Sequence, residues 1–313
     1  MDTFAVQNNT LINTGEIDRL DENLLNRLSS RNRKQALSEN SKKTYAAVIR
    51  DYNRFILDNG LAVNEDSLLA YFDSISHQSP STLNKKKYAL LKVIKAQLGR
   101  DSVLHKIAIE KAFEAIPTYQ IDMAVSSDKC LTEAQVKDMM NAAAPKTRLI
   151  IQFLFKTACR VSEMTAIRLS DCIVRRSPDP SLNGASDAKG DSVEIRVIGK
   201  GRKIRKVIIP FLLFDSIRGV YRGDTWLFES KSGKPLNRNN VGIQIKKVGR
   251  RIGLSNVHPH MLRHTRATDM IINKGISTKA TSLYLGHSST AITLDMYVKD
   301  RVNIESLFAK DSV

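Results

Sequence analysis

Long apolar runs and cysteine-rich patterns are both missing from this 313-residue sequence. No apolar stretch approaches the ~20 residues that a membrane-spanning helix requires, so we expect no membrane partner. The N-terminus has no basic segment followed by an apolar core, which argues against a secretory signal. The three cysteines fit neither a zinc site nor a disulfide framework. This favours a reducing compartment, the cytoplasm.

Acidic residues are also scarce relative to basic ones. The formal net charge is +17 and the isoelectric point is about 9.8. Such a charge predicts a polyanionic partner, most commonly nucleic acid, although a generally basic soluble protein would share it. No acidic cluster has metal-ligand spacing near the motifs described below, so we expect no metal and no cofactor.

Helical periodicity in the first part of the chain predicts a small domain of four helices. Ser41 is a candidate cap for the first helix, which begins near Glu39. The second is expected over Ser67–Ser76, the third after Pro80 and the fourth near Ser102–Ile116. The predicted organisation is a flexible arm (1–38), a helical domain (39–117), a linker (118–129) and a second domain (130–313).

The second domain is expected to be mixed α/β, mostly helical with a small antiparallel sheet. Thr132 and Gln135 form a capping box at its first helix. Two strands, 193–198 and 204–209, flank a Gly-Lys-Gly turn, and Pro210 ends the second strand. Further helices are expected at 238–252, 259–274, 278–285 and 290–299. The fold class is therefore mainly α.

Five short sequence elements stand in order along this second domain. Arg160 and Glu163 follow an apolar helix, and Lys200 lies in the turn between the strands. His260 and Arg263 are three residues apart on one helix face, followed by a Leu-Gly-His segment that ends in His287. Tyr297 comes last. Two guanidiniums can neutralise the charge that builds on a phosphodiester under attack.

This ordered set resembles the active site of the tyrosine recombinase family, which includes phage integrases and Xer-type recombinases. The resemblance covers about residues 39–299, and it implies that the helical domain (39–117) clamps DNA. It implies an enzyme that cuts and rejoins DNA through a 3′-phosphotyrosyl intermediate and a Holliday junction without metal or ATP, for integration, excision or resolution. It implies that Arg160 and Arg263 bind the scissile phosphate and that His287 donates a hydrogen bond to it.

The histidines, tyrosines and lysines leave alternatives open. His260 lies in the first helical turn, but His258 and His264 flank the same motif. A tyrosine with a pKa near ~10 needs a cationic pocket to attack at neutral pH. Tyr297 is the candidate nucleophile, and Tyr284 is its rival.

By resemblance, Lys200 is the general acid for the leaving 5′ oxygen. Lys203 could take that role, or the basic hairpin could grip phosphates non-specifically. Glu163 is expected to orient Arg160, although an exposed ion pair would give the same spacing.

Basic residues beyond this set are candidate DNA contacts, or simply solvated faces. In the first domain they are Lys42, Lys43, Lys85, Lys86, Lys87 and Lys92. In the hairpin they are Arg202, Lys203 and Arg205.

The resemblance also implies double-stranded DNA with short inverted-repeat core sites as the partner. It implies a DNA-bound tetramer in which residues 302–310 dock onto a neighbouring subunit. An accessory protein is compatible with these features. The competing functions are a type IB topoisomerase-like enzyme and a non-catalytic DNA-binding protein. Three residues depart from the family pattern: Ala158, Arg266 and Asp269.

Overall fold

The computed structural model describes residues 20–21, 25, 37–97, 103–118, 130–176, 190–199 and 203–287. The chain divides into two compact units, Met1–Asp122 and Met123–Val313. The division falls inside the segment that the sequence indicates as a linker. Most of the expected arm and linker, and the expected helix at 290–299, lie outside the described residues.

The described part of the first unit contains four helices, as the periodicity predicts. They are α1 (Glu39–Asp58), α2 (Glu65–Ser74), α3 (Pro80–Gln97) and α4 (Val103–Ala115). Two starting points differ from those expected. Ser38, rather than Ser41, caps α1, because its hydroxyl accepts the N–H of Ser41. Helix α2 begins two residues early, because the side chains of Asn64 and Ser67 form a capping box there.

Aromatic side chains fill the centre of this unit. The rings of Tyr52 and Tyr71 meet edge to face at 5.2 Å, and both side chains are buried. The Tyr52 hydroxyl shares a hydrogen bond with Ser67, so its polar end is satisfied within the core. The aromatic side chains therefore pack the helices of this unit around one core.

The second unit is built on helices that pack around a small sheet. Its helices are α5 (Glu133–Ala142), α6 (Pro145–Thr157), α7 (Val161–Met164), α8 (Phe211–Tyr221), α9 (Arg238–Arg251), α10 (Pro259–Thr268) and α11 (Thr278–Leu285). A π-helical turn, Asp269–Asn273, extends α10. The capping box of Thr132 and Gln135 at α5 is confirmed.

The sheet has three antiparallel strands in the order β1 (Cys172–Arg175), β2 (Ser192–Ile198), β3 (Ile204–Pro210). Strands β2 and β3 confirm the predicted hairpin, with Ile195 paired to Val207. Strand β1 and helix α8 were not expected from the sequence. Strand β1 lies at the sheet edge with Ile173 and Val174 half exposed, so it lacks the alternating burial that marks a strand in sequence.

Both units confirm the predicted fold class, mainly α with a small antiparallel sheet in the second unit. In the second unit, α6 packs against α10, α8 and the edge of β3. The C-terminal end of α6 therefore lies near α10 and the sheet, which are the two elements that carry the other motifs. None of the helices in the described part of the chain combines the length and apolarity that a bilayer crossing requires.

Candidate active site

The site begins where α6 ends. Ala158 caps that helix in the left-handed conformation, with φ 51° and ψ 26°. This conformation suits glycine, which explains why a glycine is usual at this position in the family that the motifs resemble. The Ala158 side chain is nevertheless buried against Ala267 and Leu285. The left-handed turn reverses the chain, so that Arg160 can start α7.

Arg160 and Glu163 are tied together within one helical turn. The Glu163 carboxylate accepts the backbone N–H of Arg160 at 2.8 Å, and Nη1 of Arg160 donates to Glu163 Oε1 at 2.7 Å. Glu163 is 5% exposed, whereas about 29% of the Arg160 side chain reaches solvent. The alternative of an exposed ion pair is therefore wrong for Glu163. The geometry shows a buried carboxylate that fixes a partly exposed guanidinium.

Arg263 is held by the ends of two helices. It lies on α10, is 5% exposed, and donates to the carbonyl oxygens of Ala158 at 2.7 Å and Leu285 at 2.6 Å. Burial and the nearby charge of Arg160 lower the pKa of Arg263 to about 10. Two guanidiniums in one site repel each other, and an anion bound between them would reduce this repulsion.

The three clustered histidines have different surroundings. His258 caps α10, because its Nδ1 accepts the N–H of Met261 at 3.3 Å. His260 follows Pro259 in the first turn of α10, as predicted. Partial desolvation and the charges of Arg263 and Arg160 lower the pKa of His260, which favours its neutral form at neutral pH. The ring of His264 lies 6.3 Å from that of His260 and is half-buried.

His287 follows the left-handed cap residue Gly286 at the end of α11. Burial lowers its pKa to about 4, and the charges of Arg263, Arg160, His264 and Arg205 add to this effect. His287 is therefore neutral at physiological pH and can donate one ring N–H. His287 belongs to the same site, because the Leu285 carbonyl two residues before it accepts a hydrogen bond from Arg263.

An open groove of about 700 Å³ adjoins Arg160 and His260. Exposed side chains of α9 line it, including Arg238 and Lys246, which the sequence analysis did not single out. The available signal was their eight-residue separation on α9, which places both on one helix face. Basic side chains therefore line the groove next to Arg160.

Two hairpin residues lie outside the described residues, Lys200 and Arg202, as does Tyr297. Lys203 is exposed immediately before β3. Arg205 is different, because its side chain is only about 10% exposed and donates to Glu163 at 2.7 Å. The expectation that Arg205 contacts DNA is therefore corrected.

Tyr284 donates its hydroxyl to the Lys156 carbonyl and packs against the core, in keeping with a structural role.

Arg266 and Asp269, two of the departures from the family pattern, form an ion pair with each other. Nη1 of Arg266 donates to Asp269 at 2.7 Å, and Lys274 also pairs with this buried carboxylate. The Arg266 guanidinium lies over the ring of Phe155, 5.8 Å from its centroid. Within the described ranges, no three His, Cys, Asp or Glu side chains come together as a metal site would require.

Comparison with known proteins supports the resemblance that the motifs carry. Residues 129–303 match the model of the phage integrase family, which is more than half of the chain. The chain belongs to this family of tyrosine recombinases. The match spans every residue of the site described above, from Arg160 to His287, and extends through Tyr297.

Relatives and solved structures extend the similarity over most of the chain. The tyrosine recombinase XerA of Thermococcus onnurineus is 28% identical over 86% of this chain and 87% of its own. XerC of Herpetosiphon aurantiacus is 25% identical over 83% and 84%.

In fold, the chain is similar to a lambda integrase dimer bound to a COC′ core site, with TM-score 0.63, 16% identity, and 86% and 95% of the two chains covered. It is also similar to the XerH recombinase bound to a palindromic difH substrate, with TM-score 0.62, 18% identity, and 92% and 84% covered.

The lowered pKa of His287 can be measured by NMR. We expect one imidazole to titrate near pH 4 in the protein without DNA, because burial and the surrounding guanidiniums oppose its protonation. The unfolded chain binds a proton near pH 6.5, so this group weakens folding as the pH falls from about 6.5 to about 4. The His287→Asn variant assigns the signal. Titration at or above pH 6.5 would contradict the description of the site.

Proposed function

We propose that this protein is a site-specific tyrosine recombinase that cuts and rejoins duplex DNA through a 3′-phosphotyrosyl intermediate and a Holliday junction, for integration, excision or resolution. The observation that carries the proposal is the convergence of Arg160 and Arg263 with two histidines of lowered pKa in one site. Among the described residues, Glu163 is the carboxylate paired with this cluster, and one carboxylate cannot balance it. A phosphodiester supplies the missing negative charge.

In the proposed reaction, the Tyr297 oxygen attacks phosphorus and the bond to the 5′ oxygen breaks. Arg160 and Arg263 stabilise the charge on the non-bridging oxygens, and His287 donates a hydrogen bond to one of them. His260, neutral at the start, can take the tyrosine proton. Lys200 donates a proton to the leaving 5′ oxygen.

The phosphotyrosyl bond keeps the energy of the phosphodiester. A 5′-hydroxyl from another strand can therefore reverse the step and join a new pair of ends. Because every group in this reaction scheme is a side chain of the protein, we propose that the reaction needs neither a metal ion nor ATP.

The partner in this proposal is duplex DNA with short inverted-repeat core sites. Solved relatives are described as a lambda integrase dimer on a COC′ core site and a lambda integrase tetramer on a Holliday junction. We propose the same kind of DNA-bound assembly here. The docking of residues 302–310, which lie outside the described residues, stays a prediction that loss of cooperative DNA binding on their deletion would support.

The lysines of the first unit divide into two groups. Lys87 is buried and donates to the Ile116 carbonyl at 2.6 Å and to Thr118, so its expected role in DNA contact is corrected. Lys86 is also used internally, because it pairs with Asp51 and donates to the Tyr71 hydroxyl. The remaining candidates are Lys42, Lys43, Lys85 and Lys92. Of these, Lys43 and Lys85 are exposed.

Covalent trapping tests the proposed chemistry. Nicked duplexes of randomised sequence are incubated in EDTA with the protein, and detergent-resistant adducts are isolated and sequenced. We expect adducts with the wild type and with Tyr284→Phe, a matched loss of one tyrosine hydroxyl, and none with Tyr297→Phe. Enrichment of one inverted-repeat sequence would support recombination. Adducts without sequence preference would indicate a DNA-relaxing enzyme. Adducts that form only in a parallel reaction with Mg²⁺ in place of EDTA would contradict the proposal.

The salt dependence of binding tests the proposed lysine interactions with DNA. Removing one lysine–phosphate interaction should reduce the slope of log K against log salt by about 0.9. We expect a decrease of about this size for Lys43→Ala and again for Lys85→Ala, measured by fluorescence anisotropy. Lys111→Ala, which removes an exposed lysine from α4, should leave the slope unchanged. Equal slopes for all variants would exclude Lys43 and Lys85 from the interface.

A further inference from the structure

Arg205 is a charged side chain placed almost inside the protein. It lies on β3, directly after the hairpin turn, and about 10% of its side chain is exposed. Its Nη2 donates to Glu163 Oε2 at 2.7 Å and lies 3.6 Å from the Cys159 sulfur. Its buried Nε–H has no hydrogen-bond acceptor among the described residues. A guanidinium held this way needs its carboxylate partner.

The same side chain is enclosed by two glycines that belong to different motifs. A Cβ built on Gly286, the residue before His287, would lie 3.1 Å from Arg205 Cδ. A Cβ on Gly199, at the start of the Gly-Lys-Gly turn, would lie 3.3 Å from Glu163 Oε1 and 3.6 Å from Arg205 Nη1. Arg205 therefore contacts or closely approaches the Arg160 loop, the hairpin turn and the Leu-Gly-His segment.

Charge gives Arg205 a second effect. Without it, the negative charge of Glu163 would offset one of the two positive charges of Arg160 and Arg263. With Arg205 paired to the other Glu163 oxygen, the group of four side chains carries three positive charges and one negative charge. Although burial alone would raise it, the hydrogen bonds from Arg205 and Arg160 hold the pKa of Glu163 below its usual value, so the carboxylate stays ionised. The phosphate-binding guanidiniums thus keep a net charge of two.

We propose that Arg205 is a positioning residue that acts through Glu163, aligning Arg160 with the hairpin that carries Lys200 and with the segment that carries His287. This inference rests on the proposed function, because its readout is DNA cleavage. Arg205 touches no reacting atom in the proposed reaction. It should therefore affect the rate of cleavage far more than the affinity for DNA.

The chain offers a matched control in Arg196. This arginine lies on β2 and donates twice to the buried Asp171, at 2.7 and 3.0 Å. Among the described residues, its side chain donates no hydrogen bond to any of the three motifs. Both arginines lie in the same sheet, and substituting either one removes the partner of a buried carboxylate. Only substitution of Arg205 should disturb the site.

The experiment measures single-turnover cleavage of a nicked duplex and, in parallel, DNA affinity and thermal unfolding. We expect Arg205→Met to slow cleavage about 10- to 100-fold, the range typical for supporting residues around a reactive centre. Its DNA affinity should stay within about threefold. Arg205→Lys keeps the charge but loses the planar fork, so it should recover part of the rate. Arg196→Met should cleave at close to the wild-type rate.

A double-mutant cycle with Glu163→Gln tests the route of the effect. If Arg205 acts through Glu163, Arg205→Met should be at least about tenfold less damaging in the Glu163→Gln background than alone. Independent effects, or a normal rate for Arg205→Met, would overturn the inference. Should Arg205→Met fail to fold, Arg205→Lys decides: a slowed rate with unchanged affinity supports the inference, and a normal rate overturns it. Absence of cleavage by the wild type would instead contradict the proposed function.

Discussion

The described site depends on the hydrogen bonds that the buried carboxylate of Glu163 accepts from two arginines. Its two oxygens accept the backbone and side chain of Arg160 and the side chain of Arg205. Breaking one side of a buried ion pair costs about 3–5 kcal/mol, because the remaining charge is left in a poorly solvated place. The position of Arg160 is thus fixed before any DNA arrives. A guanidinium that is already in place gives up little freedom when it binds a phosphate.

Arg263 shows the same preorganisation by a different means. Its guanidinium lies at the C-terminal ends of α6 and α11, where unpaired carbonyl groups carry partial negative charge. Both helices end in a left-handed residue, Ala158 and Gly286, and the adjoining carbonyls of Ala158 and Leu285 accept its hydrogen bonds. Helix ends therefore hold the cation without neutralising it. Its full positive charge therefore remains available to an anion.

Much of the site could be predicted from the sequence because short spacings determine which residues share a helix face. Arg160 with Glu163, and His260 with Arg263, lie together for this reason. The role of Arg205 could not be predicted, because its partner is 42 positions away and only the packing of the sheet against α7 brings them together. In the same way, nothing in the run of lysines 85–87 distinguishes the exposed Lys85 from the buried Lys87. That difference depends on where α3 meets the end of α4.

Local sequence patterns also determined how much of the fold could be predicted. Helices with clear periodicity, and strands in which apolar and polar residues alternate, were predicted to within a few residues. Edge strand β1 and helix α8 were missed, because β1 is largely exposed and α8 follows directly on Pro210 at the end of β3. Elements whose stability comes from long-range pairing leave a weak trace in the local sequence.

Neutralisation of negative charge on the scissile phosphate is the role that we propose for Arg160. Cleavage of a methylphosphonate at that position, which lacks one negatively charged oxygen, tests this role most directly. We expect Arg160→Ala to slow cleavage of the normal phosphate about 100-fold or more, and to slow cleavage of the methylphosphonate far less. An equal loss of rate on both substrates would contradict this role, because it would show that Arg160 does not act on phosphate charge.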